Sequence, residues 1–253
     1  MAILDGRHAL VTGGGRGIGR AIAKALSGAG ATVTVLGRQE AALKDAVATR
    51  DASRYVLADV TNEAVVDAAV KQAVAARGPV DILIANAGTG VSVPFMKGTS
   101  AQFREMFELN VMGVVHATRA VLGDMMKRGA GRIVVNSSVA GLKGYAYVTA
   151  YCAAKHAVVG LVRALAQETA KSGVTVNAVC PGYTDTDLVQ GGIEHVIAKT
   201  GRTREQALAD MLKDKPGGRL ITPQEVAAAV LFLCSPGASA VTGTTLTIAG
   251  GEI

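Results

Sequence analysis

Residues 8–27, HALVTGGGRGIGRAIAKALS, decide the fold. The aliphatic run from His8 to Val11 reads as a strand, Thr12 to Gly19 as a glycine-rich turn, and Ile18 to Ser27 as an amphipathic helix. Glycines at such a place let the chain turn tightly and let a ligand approach the backbone. The helix that follows offers unpaired N–H groups and the positive end of its dipole, which suits a pyrophosphate. The spacing of Gly13, Gly17 and Gly19 is G-x-x-x-G-x-G rather than the common G-x-G-x-x-G, so the pattern takes its meaning from its position between strand and helix.

The alternation continues outward from this unit. Strands are expected at 32–36, 54–58, 80–85, 132–136, 175–180 and 244–248, with helical segments between them. The runs DILIANAG (81–88), RIVVNSS (132–138) and VTVNAVC (174–180) are apolar without a polar alternation, as in strands buried on both faces. The expected fold is therefore α/β, a Rossmann-type doubly wound parallel sheet with helices on both faces. No linker composition interrupts residues 1–253, and Pro79, Pro181 and Pro223 fall at element boundaries, so one domain is expected. Residues 183–218 break the rhythm with polar, glycine-punctuated helical segments. An insertion of that length after the strand ending at Cys180 reads as a lid over the substrate crevice, with a subunit contact as the alternative.

Composition narrows the function. Hydrophobic residues make up 49% of the 253 and charged ones 18%, with a mean hydropathy of +0.33, which excludes a disordered chain. The net charge of +6 is spread along the chain and forms no basic arm for nucleic acid. Cys152, Cys180 and Cys234 lack C-x-x-C spacing, and His8, His116, His156 and His195 form no H-x-x-x-H pattern, so neither disulfides nor a metal are expected. The longest apolar run, Val226 to Cys234, falls short of the roughly 20 residues of a membrane span. The start, MAILDGRHALV, carries no leader-like apolar region, and a cytoplasmic protein without a membrane partner is expected.

Two regions carry the chemistry. At the end of the second strand, where an NAD site places an acid for the ribose 2′-hydroxyl, stands Arg38, and Arg16 lies in the glycine turn. Two cations on converging turns suit a 2′-phosphate and favour NADP(H) over NAD(H). Asp59 reads either as an acceptor for the adenine amino group or as a turn acid before the next helix. Tyr151 and Lys155 lie four apart in AYCAAKHAVVGL, on one helix face, where an ammonium beside a phenol lowers its pKa towards a useful range. Ser138 ends the RIVVNSS run on the same rim and suits a substrate oxygen.

TGGGRGIG (12–19), ANAG (85–88), Asn110 in ELNVMG, Ser138, Tyr151-x-x-x-Lys155 and PGYTDT (181–186) together resemble the short-chain dehydrogenase/reductase family, over essentially the whole chain. The resemblance implies that Tyr151 is the acid or base at the substrate oxygen and that Lys155 lowers its pKa and binds the nicotinamide ribose. It further implies that Ser138 positions the carbonyl and Asn110 holds a relay water. Gly13, Arg16, Gly17, Ile18 and Gly19 would form the pyrophosphate turn, Asp59 and Val60 the adenine pocket, and Asn86, Ala87 and Gly88 the ribose side. Pro181, Gly182 and Thr186 would meet the carboxamide. Ala85 stands where the family often has an asparagine, and IAGG lacks the acid often found before its glycines.

Substrate choice is expected from Ala140, Leu142, Tyr145, Tyr183 and Leu188, with Thr89, Val93, Tyr147, Val189 and His195 around them. This set is mostly apolar, and no arginine stands out to grip a small free carboxylate, Lys143 and Arg219 being the candidates left, so an acyl or cyclic ketone is expected over a small keto acid. Within the family the chain looks most like bacterial 3-oxoacyl reductases acting on acyl-carrier-protein or CoA thioesters. That implies NADPH-dependent reduction of a 3-oxoacyl thioester or related ketone by a homotetramer. A dehydrogenase of a secondary alcohol or hydroxy acid is the alternative, and a non-catalytic nucleotide-sensing scaffold on the same fold is the rival from another class.

Overall fold

The computed structural model describes residues 2–253. Strands and helices alternate in chain order: β1 (His8–Thr12), α1 (Gly17–Gly28), β2 (Thr32–Gly37), α2 (Glu40–Ala48), β3 (Arg54–Leu57), α3 (Glu63–Arg77), β4 (Ile82–Ala85) and α4 (Ser100–Phe107). There follow α5 (Gly113–Arg128), β5 (Gly131–Asn136), α6 (Thr149–Thr169), β6 (Val174–Pro181), α7 (Asp187–Thr200), α8 (Arg204–Leu212), α9 (Pro223–Cys234) and β7 (Thr245–Ile248). The seven strands form one parallel sheet in the order β3-β2-β1-β4-β5-β6-β7. The winding reverses between β1 and β4, which opens a crevice at the carboxyl ends of those strands.

Strand periodicity separates the core into two layers. Leu10, Leu36, Leu83 and Ile133 face α3, α5 and α6, while their neighbours Val11, Val35, Ile84 and Val134 face α1, α2 and α9. Each fully buried aliphatic side chain contributes about 1.5–3 kcal/mol. Both faces are thus covered, which is why these strands read as unbroken apolar runs. Side-chain caps mark helix starts: Asn62 accepts from the Val65 amide at 3.1 Å, and Thr99, Thr203 and Thr222 form capping boxes with Gln102, Gln206 and Glu225.

The expected strands all form, with ends moved by one or two residues. β6 runs one residue past Cys180 to Pro181, whose missing N–H is tolerated at a strand end. β4 begins at Ile82 rather than Val80, after the positive-φ Gly78 and Pro79. The segment 183–218 carries α7 and α8 and is pinched at its base. Thr184 and Ile221 form a parallel bridge, the Asp185 amide donates to the Ile221 carbonyl at 2.8 Å, and the Ile221 amide donates to the Tyr183 carbonyl at 2.8 Å. Cys152, Cys180 and Cys234 are buried free thiols. Among the described residues no helix is long and apolar enough to cross a membrane.

Candidate active site

The turn after β1 is held from below by the turn after β4. The Thr12 hydroxyl oxygen accepts from the amides of Asn86 (2.9 Å) and Ala87 (3.0 Å), and the Asn86 side-chain amide donates to the carbonyls of Thr12 (3.0 Å) and Gly13 (3.4 Å). A β-carbon on Gly19 would stand 2.3 Å from the Gly13 carbonyl oxygen, so only glycine fits there. Gly13 (φ +66°) and Gly17 (φ +54°) sit in the left-handed region, which favours glycine. Arg16 leads into α1 with extended backbone, and among the described residues no side chain caps that helix. Its first amides therefore stay available to an anion, and the cradle fits a dinucleotide pyrophosphate. Ile18, on the first turn of α1, packs inward against the core.

Arg38 is largely exposed and lies 3.4 Å from the Asp59 carboxylate. Asp59 accepts from the Thr61 amide at 3.0 Å and from the Thr61 hydroxyl at 2.8 Å, which makes it a turn acid, while Asn62 caps α3. Burial pushes the Asp59 carboxyl up, but the Thr61 donors and the Arg38 guanidinium outweigh it and hold it below its ordinary range. Val60 is buried against Gly113, and its carbonyl is bonded to the His116 ring at 2.9 Å. Arg16 reaches Asp187, the first residue of α7, at 3.8 Å. Thr186, just before it, lies in contact range of Gly17.

At the other end of the crevice α6 presents Tyr151 and Lys155 on one face. The Lys155 Nζ lies 5.6 Å from the Tyr151 ring centroid and donates to the Asn136 carbonyl at 2.9 Å. Ser138, which caps the short turn after β5, accepts from the Ala140 amide at 3.1 Å, and its hydroxyl is near enough to the Tyr151 phenol to pull its pKa down. Asn110 is fully buried in a π-helical turn, Glu108–Met112, between α4 and α5. Its amide donates to the carbonyls of Thr89 and Met106, both at 3.0 Å. A β-carbon on Gly88 would meet the Asn110 Oδ1 at 2.6 Å and the Lys155 Nζ at 3.6 Å, and one on Gly90 would meet the Tyr151 ring at 3.3 Å. These contacts bring Asn110, Lys155 and Tyr151 to one corner.

Desolvation dominates the electrostatics of that corner. Burial pushes the Tyr151 phenol up to about 12, with the Ser138 hydrogen bond pulling the other way. Burial also pushes the Lys155 ammonium down to about 8. The Lys155 ammonium lies beside the Tyr151 ring, and desolvation is the largest cause of both shifts.

The remaining candidates are spread around the crevice mouth. Ala140 is buried, Leu142 packs on the core, and Leu188 and Tyr183 are exposed at the head of the insertion. Exposed Tyr147 (φ +68°) accepts at its carbonyl from the Val93 amide at 2.6 Å, while His195 is exposed on α7. The Gly182 amide donates to the Ile248 carbonyl at 2.9 Å beside buried Pro181. The Tyr145 hydroxyl donates to Glu252, which also holds Lys143 and Lys215, and Arg219 pairs with Glu225. Asn136 and Glu252 escaped the sequence reading. Asn136 is the one polar side chain at the end of an apolar strand, and that was its only signal.

The family model for short chain dehydrogenase matches residues 7–196. The chain is 41% identical to an acetoacetyl-CoA reductase of Rhizobium meliloti, over 97% of this chain and 98% of the relative. It is 38% identical to the 3-oxoacyl acyl-carrier-protein reductase FabG of Vibrio harveyi, over 98% of each. An actinorhodin polyketide ketoreductase solved with NADPH superposes with a TM-score of 0.94 at 37% identity, over 100% of this chain and 99% of that one.

Proposed function

The chain belongs to the short chain dehydrogenase family and is an oxidoreductase, and from that premise we propose that it is an NADPH-dependent ketoreductase acting on 3-oxoacyl thioesters or closely related ketones. The observation that carries the reading is that Tyr151 and buried Lys155 meet at one corner beside Ser138, with the Lys155 Nζ 5.6 Å from the Tyr151 ring centroid and bonded to the Asn136 carbonyl. Two hydroxyls on one spot, one on a rigid turn and one on a helix, suit a carbonyl oxygen that must be both held and protonated.

Gly13, Arg16, Gly17, Ile18 and Gly19 would hold the pyrophosphate of the nucleotide, and Asp59 and Val60 its adenine. Asn86, Ala87 and Gly88 follow on the ribose side, and Pro181, Gly182 and Thr186 at the carboxamide. Arg38 takes the 2′-phosphate, sharing its charge between that group and Asp59. When bound, the nicotinamide supplies the hydride. The protein's own work is the proton. A phenol raised to about 12 keeps its proton at neutral pH, so Tyr151 is loaded as an acid for a carbonyl turning into an alkoxide. Ser138 orients the oxygen, Lys155 supplies positive charge beneath it, and Asn110 lies where Lys155 is resupplied with protons.

Residues 183–218 act as the lid, and Tyr145, Tyr183, Leu188, Ala140 and Leu142 shape the acyl side. The CoA and acyl-carrier-protein substrates in the relatives' names support a thioester, and a homotetramer is the assembly expected. The test is NADPH oxidation by the purified protein with acetoacetyl-CoA, run beside NADH and beside Tyr151→Phe. Rapid, NADPH-selective, tyrosine-dependent turnover is expected; tight NADPH binding without turnover would reject the thioester and leave other ketones.

A further inference from the structure

The last residues of the chain fold back under the insertion. The Glu252 side chain is 2% exposed and is met by Lys215, by Lys143 at 3.3 Å and by the Tyr145 hydroxyl. Lys143 also donates to the Glu252 main-chain carbonyl at 3.2 Å. Lys215, 11% exposed at its side chain, lies 4.8 Å from the Tyr145 ring centroid and 5.1 Å from that of Tyr183. The backbones of Gly217 and Gly250 touch, since a β-carbon on either would fall 3.2–3.3 Å from the other's Cα. One carboxylate therefore gathers the tail, the far end of the insertion, its head at Tyr183 and the loop leading to Tyr151.

Charge makes the arrangement specific. A carboxylate shut away from water is stable only where cations and donors satisfy it, and here two ammoniums and a phenol do so. Those same three groups, left free, would make a receptor for an anion. We propose that Glu252 is a specificity-determining positioning residue: its carboxylate occupies Lys143, Lys215 and the Tyr145 hydroxyl, so that the crevice offers an aromatic wall and takes ketones that carry no carboxylate near the carbonyl. This rests on the ketoreductase reading and on Tyr145 and Tyr183 flanking the substrate.

The test compares ethyl acetoacetate with acetoacetate in the full-length protein with NADPH. The unaltered protein prefers the ester. In Glu252→Gln the ratio of kcat/KM for acetoacetate over the ester rises roughly tenfold or more, through KM for the anion, as expected for one charged hydrogen bond gained. Glu252→Asp keeps the original preference. A folded Glu252→Gln with an unchanged ratio overturns the proposal. Should that variant not fold, Lys143→Gln decides: its ratio stays as it was if Glu252 holds the lysine, and a selective loss on acetoacetate overturns the proposal. If the unaltered protein reduces neither ketone, the ketoreductase reading is decided by acetoacetyl-CoA alone and this proposal by binding. Calorimetry with acetoacetate then decides here, binding to Glu252→Gln alone being the supporting result and any other result overturning it.

Discussion

Asn136 gives its side-chain amide to Oδ1 of Asn86 at 2.9 Å while its main-chain carbonyl receives Nζ of Lys155 at 2.9 Å. Asn86 in turn holds the carbonyls of the glycine turn. The glycine turn and the corner of Tyr151 and Lys155 are therefore tied through one residue at the end of β5.

Replacing Asn136 by alanine leaves the Asn86 oxygen without its donor while sparing the carbonyl that holds Lys155. Loss of a partner for a partly buried amide costs about 1–3 kcal/mol. Urea unfolding of Asn136→Ala is expected to show a loss of that size, and an unaltered midpoint would mean the bridge contributes nothing.

Gly19→Ala tests the cradle. The added methyl meets the Gly13 carbonyl at 2.3 Å, so the turn must move, and overpacking of this kind costs about 1–3 kcal/mol. NADPH titration followed by nucleotide fluorescence is expected to give weaker binding in this variant, with the helix content of the far-ultraviolet spectrum kept. Unchanged affinity would remove the turn from the nucleotide site.

Arg38→Asp addresses the choice between the two nicotinamide cofactors. It removes the charge beside Asp59 and adds a second carboxylate at the same rim. A lost charged hydrogen bond is worth about 1.5–3 kcal/mol, so the NADPH:NADH preference should fall by about 10- to 150-fold. A steady-state comparison of both cofactors checks this.

Lys155 makes stability depend on pH. Unfolded, it holds its proton up to its ordinary 10.5, and folded it releases it near 8. Between those values the unfolded chain binds more protons, so stability climbs with pH, by up to about 3 kcal/mol. Tyr151, raised to about 12, works the other way above pH 10. Denaturant unfolding without added nucleotide, from pH 7 to 10, should show the climb in the unaltered protein relative to Lys155→Met. Parallel profiles for the two proteins would refute the assignment.

The parallel sheet was legible because His8–Thr12, Ile82–Ala85 and Gly131–Asn136 are apolar on both faces, a pattern set by helices on either side. Gly13, Gly17 and Gly19 were legible because a positive φ favours glycine at the first two and the third has no room for a β-carbon. Tyr151 and Lys155 were legible as a helical pair, but the upward shift of the phenol was not, since it comes chiefly from burial, which depends on packing that no local spacing records. Asn136 and Glu252 stayed hidden for the same reason. Their partners lie 50 and 107 residues away, and no local period records such a distance.

The parallel bridge between Thr184 and Ile221 closes the insertion at its neck. Everything between, α7 and α8 included, leaves and re-enters the sheet scaffold at one point. A change of length between the ties at Arg16–Asp187 and Lys215–Glu252 leaves the strand pairings of the sheet untouched. Loop-closure entropy changes only slowly with such length changes. The neck thus separates a scaffold that carries Tyr151 and Lys155 from a segment whose interior, between Asp187 and Lys215, is free to vary in length without disturbing the sheet.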